Sequence, residues 1–283
     1  MDLNNISERI VKPWWMFRVS EMKISVSSWS LHRELPHFLR RELAAKITIT
    51  DFPRICVEEF GVEAVELCQM HFLSTDKEYL ADVKRALKDW SLSLVNIPVD
   101  IGSAAEPNPE KRRAEFKVIR EWFHIARYLG SPSIRVNTGG GEGEAALKRA
   151  IEGYRDLVRT AEETGVMLLI ENHGGISADP DNIIKIIEEV GSNYIGTCPD
   201  FGNFPPNIRY EGLKKIAKYA PIVHAKTYDF DEKGEETRID YKRCIDILKS
   251  QGFNGYYSIE YEGKGDQREG VKKSLKLLKR YLQ

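Results

Sequence analysis

The chain has 283 residues, 42% of them hydrophobic and 30% charged, with a formal net charge of −1. That length suits one large domain or two small ones and supplies a substantial core, and the near-neutral charge offers no electrostatic footprint for nucleic acid. No stretch reaches the roughly 18 apolar residues a membrane span requires, so neither nucleic acid nor membrane is an expected partner.

Residues 1–22 carry Asp2, Glu8, Arg9, Lys12 and Arg18 and lack a continuous apolar core, so they do not read as a signal peptide. They read as an N-terminal extension containing the apolar run Pro13–Phe17. Met22 directly precedes the first strand, which leaves open whether residues 1–22 belong to the native protein. The four cysteines, Cys56, Cys68, Cys198 and Cys244, show neither a CxxC pair nor zinc-finger spacing. They read as small buried hydrophobes in a reducing compartment, with the cytoplasm as the expected address.

The first predicted strand is Lys23–Ser27. A helical pattern over 51–60 stops at Gly61, and strand 2 is Ala64–Leu67. Thr75 with Glu78 reads as a capping box opening a helix to about Trp90. Strand 3, Leu92–Ile97, is closed by Pro98. A helix over about 109–129 stops at Gly130, and strand 4, Ser133–Asn137, leads into Gly139-Gly140-Gly141.

The second half repeats the unit. A helix over 144–164 stops at Gly165, and strand 5 is Val166–Glu171. The next helix opens at Asp179-Pro180, where proline in the first turn suits its fixed φ, and ends at Gly191. Strand 6 is Tyr194–Pro199, followed by a helix over about 210–219. Strand 7 is Ile222–Lys226, a helix covers 241–251, strand 8 is Gly255–Glu260, and the last helix runs over 267–281. Each strand is followed by a helix, so right-handed crossovers and parallel strands are expected. Residues 23–283 then form one α/β domain, a single (β/α)8 TIM barrel with eight parallel strands and its functional groups at the C-terminal strand ends.

Four strands end in residues that can bind a metal: Glu171, Asp200, His224 and Glu260. Period-2 alternation puts each at the end of an inward face, above Met167 and Leu169, Gly196 and Cys198, Ile222, or Tyr256 and Ser258. Three clustered carboxylates without a cation would repel one another and desolvate badly. One divalent metal ion resolves this. The oxygen-rich set with a single imidazole suits Mn²⁺, Mg²⁺ or Co²⁺, and Zn²⁺ is also admissible. On the same rim, Glu66, His71, Asn96, Asn137, His173, Asn203 and Lys226 are the expected substrate-binding residues, with Arg135 and His32 nearby. The glycine triplet lacks a following Lys-Ser/Thr, so it reads as a flexible loop that lets backbone approach the substrate rather than as a phosphate loop.

The segments Gly61–Glu66, Ile170–Gly175, Asp200–Asn203, His224–Lys226 and Ile259–Tyr261 resemble the xylose isomerase-like barrel superfamily. That group holds sugar isomerases and epimerases, inosose and dehydroshikimate dehydratases, hydroxypyruvate isomerase and endonuclease IV. The resemblance covers about residues 23–282. It implies that Glu171, Asp200, His224 and Glu260 are metal ligands, and that Glu171 and Glu260 also exchange protons with a substrate carbon. Two departures separate the chain from the ketose 3-epimerases. Asn203 stands where a histidine often lies, and Thr227–Glu232 lacks their arginine. Members are often dimers or tetramers, which leaves a homo-oligomer open.

The resulting expectation is a metal-dependent isomerase or epimerase acting on a carbohydrate or sugar-like polyol ketone through an enediolate. A dehydratase of the inosose or dehydroshikimate type is the nearest alternative, because loss of a β-hydroxyl starts from the same proton removal. An endonuclease IV-like phosphodiesterase fits less well, since that chemistry takes three metals and the chain has only six histidines. A non-catalytic sugar-binding barrel is the remaining reading.

Overall fold

A computed structural model of the chain describes residues 23–40 and 45–283; the extension expected at 1–22 lies outside the described residues. Its strands are β1 (Ile24–Ser27), β2 (Ala64–Glu66), β3 (Ser93–Val99), β4 (Ser133–Val136), β5 (Met167–Glu171), β6 (Ile195–Cys198), β7 (Ile222–Thr227) and β8 (Tyr256–Tyr261). Hydrogen-bonded neighbours run in the order β6-β5-β4-β3-β2-β1-β8-β7, and every pairing is parallel. The seam between β6 and β7 closes just above β6. There the His224 amide donates to the Pro199 carbonyl at 2.9 Å, and the Phe201 amide donates to the His224 carbonyl at 3.1 Å. Two of the four predicted rim residues, Asp200 and His224, therefore face each other across the closing bridge.

The helices are α1 (Phe52–Ile55), α2 (Lys77–Asp89), α3 (Pro109–Leu129), α4 (Gly143–Thr164), α5 (Pro180–Val190), α6 (Arg209–Ile216), α7 (Tyr241–Ser250) and α8 (Gln267–Leu282). α1 continues as a π-helical turn over Cys56–Phe60. Their apolar faces cover the barrel. In α3, Phe116, Ile119, Trp122, Phe123 and Ala126 recur at helical spacing and are all buried. Burial of each such large side chain contributes roughly 1.5–3 kcal/mol. Asn108 caps α3 by accepting the amides of Glu110 and Lys111, both at 3.0 Å. Gly130 ends that helix at φ 88°, a left-handed position that side chains with a Cβ disfavour.

Two local expectations change. Thr75 and Glu78 form no capping box: α2 starts at Lys77 behind Asp76, whose amide and carboxylate are tied to Ser74 Oγ at 2.9 and 2.8 Å. Pro98 does not close β3, which runs on to Val99. The Asn96 carbonyl points to β2, accepting the Leu67 amide. Period 2 turns the Pro98 nitrogen to the same side, where β2 has already ended, so its missing N–H costs the ladder nothing.

Inside the barrel lies a small apolar layer of Ala64, Val95, Leu169, Cys198 and Ile222, flanked by Met167 and Tyr256. It fills the cylinder beneath the polar rim, as the alternation along β5 to β8 predicts. All four cysteines are free and buried. Burial pushes the Cys68 and Cys198 thiols up to about 12. Among the described residues, no helix is long and apolar enough to cross a membrane.

Candidate metal centre

Glu171 ends β5, Asp200 follows β6, His224 lies within β7 and Glu260 lies within β8. Each offers one ligand atom, and these four atoms lie within 4.8 Å of one another, all on buried residues. The imidazole is the pivot. His224 Nδ1 is 2.8 Å from Glu171 Oε1 and 3.9 Å from Glu260 Oε1, so the two glutamates flank one ring nitrogen. Its other nitrogen, Nε2, is 3.1 Å from Glu66 Oε2.

Two cations close the group from either side. Lys226 Nζ lies 3.2 Å from Asp200 Oδ2 and 2.9 Å from Glu260 Oε2. Arg135 Nε lies 3.0 Å from Glu171 Oε2 and its guanidinium is also held by Asp100. The Arg135–Glu171 and Lys226–Asp200 contacts bring opposite charges together without hydrogen-bond geometry. Glu171 Oε2 and Asp200 Oδ2 consequently stay buried with no hydrogen-bond partner. Buried carboxylate oxygens left in that state are costly. Asn203 adds a further tie: its Nδ2 donates to Glu171 Oε1 at 3.2 Å, and its Oδ1 accepts from Lys226 Nζ at 3.1 Å.

The electrostatics follow from this packing. Burial raises the Glu171 carboxyl, but the charges of His224 and Arg135 outweigh it and hold that group well below the usual carboxylate range. Burial, with Glu260 and Glu171 adding to it against the pull of Lys226, raises Asp200 to about 7. Burial lowers His224, yet Cys198, Glu66 and Glu171 together carry it well above its ordinary value. Without a cation in the cage, the carboxylates hold a proton on His224 beside the Lys226 ammonium; a bound cation would take the place of that proton. An oxygen-rich donor set with one imidazole and unclaimed carboxylate oxygens fits a divalent cation held by Glu171, Asp200, His224 and Glu260.

The other expected residues divide into groups. Glu66 and Asn96 are fully buried beneath the rim, with Asn96 Nδ2 donating to Glu66 Oε2 at 2.9 Å and Ser133 Oγ donating to Asn96 Oδ1 at 2.8 Å. Asn137 pairs with Asp100 at 3.0 Å and with Arg135 at 2.9 Å. His173 is exposed beside Ser103, Asn137 and Gly140, and its charge helps lower the Glu171 carboxyl two residues before it. His71 is fully buried on the β1–β2 side, 2.9 Å from Ser28 Oγ through Nδ1 and stacked on Trp29 at 6.1 Å. Of the glycine triplet, Gly139 is held in place, while Gly140 and Gly141 are exposed. The Gly139 carbonyl accepts the Ile176 amide at 3.3 Å, and a Cβ on Gly175 would sit 2.3 Å from that carbonyl oxygen.

Three residues were missed. Asp100 holds Arg135, and it follows Asn96 and Pro98 at period 2; stopping strand 3 at Pro98 hid it. Glu262 repeats the spacing beyond Glu260 and meets Lys226 at 3.3 Å. Trp29 donates its indole N–H to Glu262 at 2.7 Å, a contact 233 residues apart that no local pattern signals.

Comparison with known proteins adds the following. A C-glycoside deglycosidase alpha subunit from Microbacterium trichothecenolyticum is 37% identical over 62 residues, 22% of this chain and 17% of that protein. An equivalent subunit from Arthrobacter globiformis gives 37% over 68 residues and 19% of its length, so these matches span under a fifth of either relative. The crystal structure of a D-psicose 3-epimerase from Clostridium cellulolyticum H10, solved with D-tagatose, superposes with a TM-score of 0.75 at 12% identity, over 93% of this chain and 100% of that one. A xylose isomerase-like TIM barrel protein from Mycobacterium smegmatis, in complex with magnesium, gives 0.69 at 17% identity, over 95% and 100%. The family model for the xylose isomerase-like TIM barrel matches residues 56–281. With eight parallel strands closed at Asp200 and His224 and that match over most of its length, the chain belongs to the xylose isomerase-like TIM barrel family.

Proposed function

We propose that this chain is a divalent-metal-dependent isomerase or epimerase that moves a proton at the carbon next to the carbonyl of a sugar or sugar-like polyol ketone. The observation that carries the reading is the convergence of four ligand atoms from four consecutive strands within 4.8 Å at the C-terminal rim. A cation held there would polarise the substrate carbonyl and stabilise negative charge on its oxygens. Magnesium in the Mycobacterium smegmatis barrel supports a divalent ion, and the 3-epimerase among the similar structures supports chemistry beside a carbonyl.

The chain's own residues take defined parts. Glu171 and Glu260 flank His224 Nδ1 and act as the acid and base pair. One removes the C–H proton and leaves an enediolate, and the other delivers a proton. Delivery to the opposite face gives an epimer; delivery to the neighbouring carbon gives the aldose–ketose isomer. Such general acid–base steps contribute about 10²–10⁴-fold. Arg135 and Asn203 hold Glu171 in one orientation, and Lys226 does the same for Glu260. Glu66 fixes His224 from behind through Nε2, leaving Nδ1 for the cage.

A second reading is a lyase, in which the same carbanion expels a β-substituent. It draws on the local match to the C-glycoside deglycosidase subunits. One experiment tests the step both readings share. The protein is supplemented with Mn²⁺, its metal content is measured, and keto sugars and inososes are followed in D₂O by NMR. Deuterium entering one carbon with carbon skeleton intact supports the isomerase; loss of a substituent supports the lyase. Neither exchange nor loss of a substituent, with metal in place, sinks both.

A further inference from the structure

Glu262 lies two residues beyond Glu260, so strand alternation turns both carboxylates to one face. Its amide still donates to the Thr227 carbonyl at 2.8 Å, so the β7–β8 ladder carries it at the mouth of the barrel. Its Oε1 accepts the Trp29 indole N–H at 2.7 Å and the Lys226 ammonium at 3.3 Å. Its Oε2 makes no hydrogen bond among the described residues. The Glu262 side chain is 28% exposed and that of Lys226 only 4%, so an oriented carboxylate, not the ammonium beneath it, meets whatever enters.

Among the described residues, the two cations buried at the mouth are paired with carboxylates. Lys226 faces Asp200 and Glu260 as well as Glu262. Arg135, 5% exposed, is held between Asp100 and Glu171. Across the mouth, Lys111 lines the glycine-rich rim and is paired with Glu106 at 2.7 Å and Glu115 at 3.4 Å. The Ile176 amide there is spent on the Gly139 carbonyl. Near β8, the Arg33 guanidinium is turned onto the carbonyls of Gly263, Lys264 and Gly265.

We propose that Glu262 is a specificity-determining residue: its unclaimed oxygen accepts hydrogen bonds from hydroxyls of a neutral polyhydroxy ketone, and its charge turns away ligands that carry a phosphate or carboxylate distal to the reacting carbonyl. This rests on the proton-transfer reading above and narrows it to uncharged substrates. The physical basis is asymmetric. A hydroxyl donating to a carboxylate makes a charge-assisted hydrogen bond, stronger than a neutral one. A phosphate in the same place meets a like charge, and the Lys226 and Arg135 charges nearest it are already paired with carboxylates; like-charge mismatches of this kind discriminate far more sharply than apolar fit does.

The experiment uses the Mn²⁺-loaded full chain in D₂O. Neutral probes are D-fructose, D-xylulose and scyllo-inosose; anionic probes are D-fructose 6-phosphate, D-xylulose 5-phosphate and 3-dehydroshikimate. At least one neutral probe exchanges, with kcat/KM about tenfold or more above its charged counterpart. Glu262→Gln raises KM for that neutral probe about tenfold, lowers kcat less, and narrows the neutral-to-anionic gap. Glutamine keeps the shape and an acceptor for Trp29, and melting temperature and Mn²⁺ content report whether the variant is folded and loaded. If it does not fold, the wild-type comparison decides. Faster exchange of an anionic probe overturns the inference and leaves the proton-transfer reading standing. A folded Glu262→Gln variant with unchanged KM overturns it too. Exchange with neither class removes the reading and the inference together.

Discussion

Glu66 stands directly behind His224, with its Oε2 3.1 Å from Nε2 while Nδ1 of the same ring faces Glu171 Oε1 at 2.8 Å. A carboxylate on the rear nitrogen fixes the tautomer and the ring angle and makes the front nitrogen a better ligand. Glu66→Gln is therefore expected to weaken Mn²⁺ binding by roughly 10–100-fold. Isothermal titration with Mn²⁺ measures it. Binding at the wild-type level would reduce Glu66 to a filler of the barrel interior.

The two glutamates serve opposite ends of one proton movement. Glu171→Gln and Glu260→Gln are each expected to lower kcat for deuterium exchange by about 10²–10⁴-fold. Both residues are also proposed ligands, so metal content is measured alongside. A variant that keeps its metal and its exchange rate would remove that glutamate from the chemistry.

Arg135 is buried between Asp100 and Glu171 and links the β3, β4 and β5 ends. Burial lowers its guanidinium, but Asp100 and then Glu171 carry it well above the usual value. Arg135→Met leaves two buried carboxylates without their counter-charge. Breaking a buried pair in this way costs about 3–5 kcal/mol. Urea unfolding of the metal-free protein should show a loss of that order, and added Mn²⁺ should recover part of it.

His71 gives a pH dependence that involves no metal ligand. Burial, with the neighbouring His37 and His32 adding to it, lowers its imidazole from 6.5 to about 3. The folded chain thus binds fewer protons here than the unfolded chain between those two values. Stability from this group is complete above pH 6.5 and is lost progressively as pH falls toward 3. Each tenfold change in proton affinity is worth about 1.36 kcal/mol, so the loss is on the order of a few kcal/mol. In His71→Gln, the slope of unfolding free energy against pH in this window should flatten. An unchanged slope would show that His71 titrates normally.

Much of the architecture is legible in the chain because each unit carries local punctuation. Gly130, Gly165 and Gly191 stop helices at left-handed positions, and Asp179-Pro180 starts one, where Asp179 accepts the Asp181 amide at 2.8 Å. The inward alternation of Leu169 and Glu171, or of Ile222, His224 and Lys226, needs only a period of two. Local rules failed where a neighbour decided. Whether Pro98 ends a strand depends on where β2 stops. Whether Thr75 caps a helix depends on where the first turn begins, and α2 begins behind Asp76, which Ser74 holds.

The sequence by itself determined the eightfold strand–helix repeat and the inward face of the later strands, because hydrophobic period and turn chemistry act over a few residues, while most strand ends moved by a residue or two. Only the tertiary structure decided what each rim group touches. Glu66 turned to His224, Arg135 to Glu171, and Trp29 to a glutamate 233 residues away. Those pairings come from strand tilt and barrel closure, which bring together side chains whose separation along the chain carries no trace of their contact.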